Sequence, residues 1–282
     1  MRIHGELDSC IGWSAATLLT GKGLSVAHQE AVLEERAVSI VINGQAYAVM
    51  MVTPEHLDDF FMGFLWSEAI IHGPEEIIAW ERMTENGAWA IYLQLTAAAA
   101  ERAQHKRRHV LGGSACGLCG TPLLAGLIPF APLESSFCCN PASIRTLMVQ
   151  MQERQALNHS TGTAHAAILG YQRDYLVRED IGRHNAVDKS IGAAIQHGLR
   201  PGEVNVLGIS SRLSFEIVLK AIGFGIPVIA AISGVSSLAI KLAESHGVTL
   251  IGFARNDRMT LYAHPERIQK DWVPALSPVC DY

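Results

Sequence analysis

At 282 residues the chain is long enough for one large domain or two, and 49% apolar with 17% charged residues is an ordinary globular composition, not a disordered one. A net charge of −5 argues against a general nucleic-acid binder, and six irregularly spaced cysteines are too few for a disulfide-built secreted scaffold. The N-terminus lacks a signal-peptide pattern, and Lys220 and Pro227 break the most apolar stretch, 217–232, so a cytoplasmic protein with no membrane partner is expected.

In chain order, two β-rich runs, 37–42 and 45–52, flank Asn43-Gly44, a pair that favours the positive φ angles of a tight hairpin turn. Thr53 and Pro54 read as the cap and first residue of a helix whose face carries Leu57, Phe60, Phe61, Phe64 and Leu65. A strand over 88–95 precedes a polar helix that contains Arg102, Lys106, Arg107 and Arg108. Asn140-Pro141 opens another helix by the same cap logic, and AHAAILG and DYLVRED are two strands joined at Tyr171–Arg173. The stretch GRHNAVDKSIGAAIQHG reads as a helix ended by Gly198. From 204 onward, continuously apolar strands (VNVLGIS, PVIAAIS, VTLIGFA) alternate with helices over 213–224 and 236–246, which predicts a parallel sheet covered on both faces. The organisation expected is a small N-terminal α+β unit (1–110), a cysteine-containing connector (111–139) and an α/β domain (140–282).

In open α/β sheets ligands gather at the carboxyl ends of the strands. Those ends are SSRLS (210–214), SGVSS (233–237) and ARNDR (254–258). Ser211, Arg212 and Ser236 suit phosphate oxygens, and Arg255, Asn256, Asp257 and Arg258 suit a base edge and phosphates. For any one loop the plainer reading is capping serines and solvated arginines. Neither G-x-G-x-x-G nor a P-loop occurs. The polar stretch 178–189 reads as a surface helix, with Asp188 one turn beyond His184 and able to orient its ring; His165 reads as half-buried.

Cys116 and Cys119 lie three apart in LGGSACGLCG. A structural zinc site wants four ligands, and Cys138-Cys139, being adjacent, makes a poor second pair. A thioredoxin-like motif wants a strand before it and a helix after it, whereas this pair sits between glycines. A glycine-flanked loop beside cations suits a thiolate that collects sulfane sulfur and passes it on. A chance C-x-x-C after a polar helix is the reading left beside it.

Taken together, GSACGLCG, TGTAHAAIL, VREDIGRHNAVDKSIG, SSRLSFEIVLKA, GIPVIAAISGVSSLAIKLAE and TLIGFARNDRMTLY resemble the formate dehydrogenase accessory sulfurtransferases, the FdhD family, as does the segment LEERAVSIVINGQAYAVMMVTPEHLDDFFMGFLWSEAII. The resemblance runs from about residue 30 to 266. It implies a sulfur carrier that takes sulfur from a cysteine desulfurase and passes it to the molybdenum cofactor, a bis(molybdopterin guanine dinucleotide), before insertion into formate dehydrogenase. It implies Cys116 as the persulfide cysteine, Cys119 as its second cysteine, Phe253, Ala254, Arg255, Asn256, Asp257 and Arg258 as the cofactor-binding segment, and a homodimer. It also implies a cytidine-deaminase-like larger domain that has lost its zinc site. Aligned on the deaminase motifs, His184 is kept, Ala186 replaces the acid/base glutamate, and Ser211 and Ser214 replace two thiolates. The alternatives are a cofactor-binding chaperone without sulfur transfer and a zinc-dependent nucleotide hydrolase.

Overall fold

A computed structural model describes residues 10–21, 23–85, 88–110, 130–255 and 258–269. Twelve strands among them form three sheets. The first is an antiparallel ribbon of β1 (Ile11–Thr20) and β2 (Gly23–Leu33), absent from the sequence reading because its faces show no clean alternation. Its base packs Cys10, Ile11 and Leu33 against Leu157 and Ala164, while Trp13 and Leu19 further along are 70% and 72% exposed.

The second sheet runs β4-β3-β6-β5, with β3 Arg36–Ile42, β4 Gln45–Val52, β5 Ile77–Glu85 and β6 Ala88–Leu95. The hairpin turn is as expected: Asn43 and Gly44 have φ 47° and 78°. Asn43 does more than turn the chain, since its side-chain amide donates to Leu95 O at 3.2 Å and accepts from Leu95 N at 2.8 Å, tying the turn to β6. Helix α1 (Leu57–Ser67) lays its phenylalanines on the inner face, against Val38, Ile40, Ile91 and Leu93. Helix α2 (Ala97–Val110) carries the basic run.

Thr53 does not cap α1. The helix begins four residues later, behind His56 at φ 53°. Fully buried, Thr53 donates its backbone N–H to Asp180 Oδ2 (3.1 Å) and accepts from Ile181 N at its hydroxyl (3.0 Å). Tertiary partners took the groups that a cap would have used.

The third sheet has the order β12-β11-β10-β9-β7-β8. Its elements are α3 (Pro141–Glu153), α4 (Ala156–Thr161), β7 (His165–Tyr171), β8 (Asp174–Asp180), α5 (Arg183–Gln196), β9 (Val206–Ile209), α6 (Phe215–Gly223), β10 (Val228–Ala231), α7 (Ser237–Ser245), β11 (Thr249–Arg255) and β12 (Arg258–Ala263). Asn140 caps α3 as expected, accepting from Ser143 N at 2.7 Å. The expectation of a parallel sheet needs correcting. Only β9, β10 and β11 run parallel, while β7, β8 and β12 pair antiparallel with their neighbours. Apolar runs report burial on both faces and carry no strand direction. Both faces are indeed covered: Ala167, Leu169, Leu207, Ile209 and Ile229 face α5, α6 and α7, and Ala166, Ile168, Val206, Val228 and Ile251 face α3.

The N-terminal sheet and the large sheet meet where α1 crosses α5. A Cβ at Gly63 would fall on the Asp188 carbonyl, and one at Gly192 on the Asp59 carbonyl, so only glycines allow this approach. Beside the crossing, Lys189 and Asp180, both without solvent exposure, form an ion pair at 2.7 Å. Lys189 also donates to Thr53 O at 2.9 Å and Glu179 O at 3.2 Å. Asp180 Oδ1 accepts from Gly182 N (2.8 Å) and from the Asn185 amide (2.9 Å).

Candidate functional site

The three loops at the carboxyl ends of β9, β10 and β11 lie side by side, joined by main-chain bonds. Leu213 N donates to Gly234 O and Ser236 N to Leu213 O, both at 3.0 Å, and Phe253 N donates to Ser233 O at 3.0 Å. The side chains divide. Ser236 caps α7, its hydroxyl accepting from Ala239 N at 3.2 Å, and Ser211 is buried with its hydroxyl donating to Arg212 O at 3.1 Å. Ser236 matches the plainer capping reading, whereas Ser211 caps no helix. Arg212, Arg255 and Arg258 are exposed, and Ala254 is packed in the core on the α3 side. Asn256 and Asp257 lie outside the described residues.

Phe253 is the unusual member of this rim. Between the pairs Gly252–Thr260 and Arg255–Arg258, two residues of β11 face one of β12, which makes a β-bulge. Phe253 sits in that bulge at φ 54°, a left-handed conformation normally left to glycine, at a cost of about 1–3 kcal/mol. The Arg258 guanidinium lies over its ring, 4.8 Å from the centroid.

On the α5 side of the rim, His184 turns towards α6. Its Nε2 is buried, has no hydrogen-bond partner, and lies 3.9 Å from Glu216 Oε2. Burial, helped by the charges of Arg183 and Lys220, pushes its pKa down to about 4 against the pull of Glu216, so the ring is neutral at pH 7. Burial, followed by the Arg183 charge, also lowers His165. Ser214 interacts with the Glu216 carboxylate and helps to hold it below its ordinary pKa despite desolvation. Asp188 does not orient His184: it is buried, and Lys220 Nζ bonds both its oxygens at 2.7 and 2.9 Å. Nor is α5 a surface helix, since every residue from Asn185 to Ile195 is buried. No group of three or more His, Cys, Asp or Glu among the described residues is placed to hold a metal ion. Glu216 and Lys220 were missed from sequence; nothing in the spacing of SSRLSFEIVLK marks them as partners of α5.

A model of the FdhD/NarQ family matches residues 33–269. This chain belongs to that family. Similar relatives are the sulfur carrier protein FdhD of Bordetella bronchiseptica, 39% identical over 84% of this chain and 87% of the relative, and that of Cupriavidus necator, 38% identical over 89% and 88%. A crystal structure described as that of a formate dehydrogenase accessory protein from Desulfotalea psychrophila superposes with a TM-score of 0.73 at 25% identity, covering 92% of this chain and 100% of that one.

In this FdhD/NarQ chain the cysteine pair Cys116 and Cys119 falls outside the described residues, as does Cys280. Of the four cations that precede the pair in helix α2, the side chains of Arg107 and Arg108 also lie outside the described residues, while those of Arg102 and Lys106 are described. The Arg102 guanidinium bonds Glu76 at 2.6 Å and Ile70 O at 2.8 Å. Lys106 lies 4.0 Å from Glu68, and burial, with the Lys220 charge, holds its ammonium pKa below the ordinary lysine value. Cys139 is buried beside α3, and Cys138 accepts from the Gln269 amide at 3.5 Å. No helix among the described residues is long and apolar enough to cross a membrane.

Proposed function

We propose that this chain is a cytoplasmic, homodimeric sulfur carrier serving formate dehydrogenase. The Cys116 thiolate attacks the terminal sulfur of a persulfide on a cysteine desulfurase. The donor's S–S bond breaks, the donor cysteine leaves as a thiolate, and Cys116 becomes the persulfide. Cys119, three residues away, is the second cysteine of the pair. The terminal sulfur then goes to the molybdenum cofactor, a bis(molybdopterin guanine dinucleotide), before that cofactor enters formate dehydrogenase. The rim at 211–212, 236 and 253–258 is read as the place where a guanine nucleotide end of the cofactor is held. The family match over residues 33–269, with relatives named as sulfur carriers, is the observation that carries this reading.

The larger unit is read as cytidine-deaminase-like. Its hairpin–helix–strand–helix–strand order and the convergence of His184 and Ser214 on Glu216 support that reading. Ala186, buried at the place of the deaminase glutamate, speaks against deamination.

The test is intact mass after incubation with a desulfurase and cysteine. Wild type should gain about 32 Da per sulfur, and Cys116→Ser should not. Loading that persists in Cys116→Ser and vanishes in Cys119→Ser would reverse the assignment. No adduct on wild type would leave a cofactor-holding chaperone.

A further inference from the structure

We propose that the outer face of the N-terminal sheet is a docking groove for an amphipathic helix of another protein, one whose apolar stripe ends at a lysine or arginine. The inference rests neither on the rim nor on the sulfur-carrier reading. Side chains alternate between the faces of a strand, and residues paired across strands share a face. Val38, Ile40 and Ile42 are buried on the side of α1, so Ala37, Ser39 and Val41 point the other way.

The pairing carries that outer face across all four strands. One row runs Val49–Ser39–Ala90–Met83 from β4 to β5, and the next runs Ala46–Val41–Tyr92–Glu81. Met51, paired with Ala37, extends the β4 side. An antiparallel sheet normally turns polar side chains to water on its open face. Here Val49, Met51 and Met83 are 66%, 48% and 43% exposed, and Glu81 is the one charged residue in the two rows.

The face is shaped as well as apolar. Ala37, Ser39 and Ala90 form a low floor between two ridges, Val49 and Met51 on β4 and Met83 on β5. Three strand spacings, about 14 Å, separate the ridges, which admits a helix about 10–12 Å across. Helix α1 already lies on the inner face of the same sheet. At the hairpin end the groove opens into a cavity of about 620 Å³, where Val41, Trp80 and Tyr92 stand beside Glu81, the only charged residue in its lining. Such a cavity suits the apolar stem and charged head of a lysine or arginine. Three rows along the strands by three spacings across give roughly 300 Å² of face. Two copies packed face to face would bury about 600 Å² in all, below the ~1,200 Å² of a stable dimer. A helix that docks and leaves needs no more than this.

Fluorescence polarisation with a labelled probe peptide of about 18 residues, leucine along one helical stripe and lysine at its flanks, tests this. Wild type should bind it with micromolar affinity and ignore a copy carrying glutamate in place of lysine. Val49→Glu sets an unpaired charge against the stripe and should weaken binding more than about tenfold. Glu81→Gln should weaken it roughly two- to fivefold. Glu153→Gln, at an exposed carboxylate on α3, should change nothing. If all four proteins bind the lysine peptide equally, or wild type binds neither peptide, the groove is overturned. If sedimentation equilibrium finds wild type dimeric and Val49→Glu monomeric, the face belongs to a second copy and the helix reading is overturned. Should Val49→Glu not fold, equal binding by wild type and Glu81→Gln overturns it.

Discussion

At the α1–α5 seam, Lys189 and Asp180 are fully buried, 2.7 Å apart, and bonded in addition to Thr53, Glu179, Gly182 and Asn185. At the rim, about one helix turn before Lys189 along α5, His184 is mostly buried with Nε2 unbonded, and Phe253 is held in a strained bulge with its ring stacked under an exposed arginine. Both regions use polar groups removed from water. In the seam Thr53, Asp180, Asn185 and Lys189 all find partners within the chain, and that closure fixes how the two sheets sit together. In the rim the His184 Nε2 and the Ser214 hydroxyl are buried without a hydrogen-bond partner.

The contrast breaks first at the seam. Lys189→Met should leave Asp180 buried without its cation and cost about 3–5 kcal/mol, read as a lower urea midpoint with the slope retained. A loss below about 1 kcal/mol would mean that Asp180 is satisfied by its amide donors alone. Gly192→Ala should cost less, about 1–3 kcal/mol, because the helices must move apart to admit a methyl group that would fall on the Asp59 carbonyl. Full stability in that variant, measured by thermal melting, would show that the two helices can part enough to admit a methyl group without loss.

The smallest effect sharpens the rim side. With the folded His184 at about 4 and an unfolded histidine near 6.5, the unfolded chain binds more protons between those values. This contribution to stability is therefore complete above about pH 6.5 and is lost as pH falls towards 4. His184→Gln should flatten that part of the melting-temperature profile relative to wild type, with little change at pH 7. Parallel profiles for the two proteins would place the ring in contact with water. Arg183, Lys220, Glu216 and His165 face the ring and are unchanged in the comparison.

Much of the fold could be read from residues whose partners are near in sequence. Asn43-Gly44 chose its turn, Asn140 capped its helix, and the apolar runs from 204 onward fell where strands form. Reading failed where the deciding partner was distant. Thr53 looked like a cap until its groups met Asp180 and Ile181, more than 120 residues on. Asp188 and Lys189 looked like a charged surface, yet their partners, Lys220 and Asp180, come from other elements and allow both to be buried. The three strand-end loops were chosen correctly as neighbours, because strand order follows from alternating strands and helices. Their internal chemistry was less open to reading. A serine looks the same in sequence whether it caps a helix, as Ser236 does, or meets Glu216, as Ser214 does. A phenylalanine in the left-handed region leaves no sequence mark at all.

The bonds that join the rim loops are almost all between backbone atoms: Leu213 with Gly234, Ser236 with Leu213, and Phe253 with Ser233. An edge assembled this way keeps its outline whichever side chains it carries, because peptide groups are common to every residue. Variation in the exposed positions of the rim is thus uncoupled from its shape. Such a scaffold can be redecorated by single substitutions while the loops stay in register.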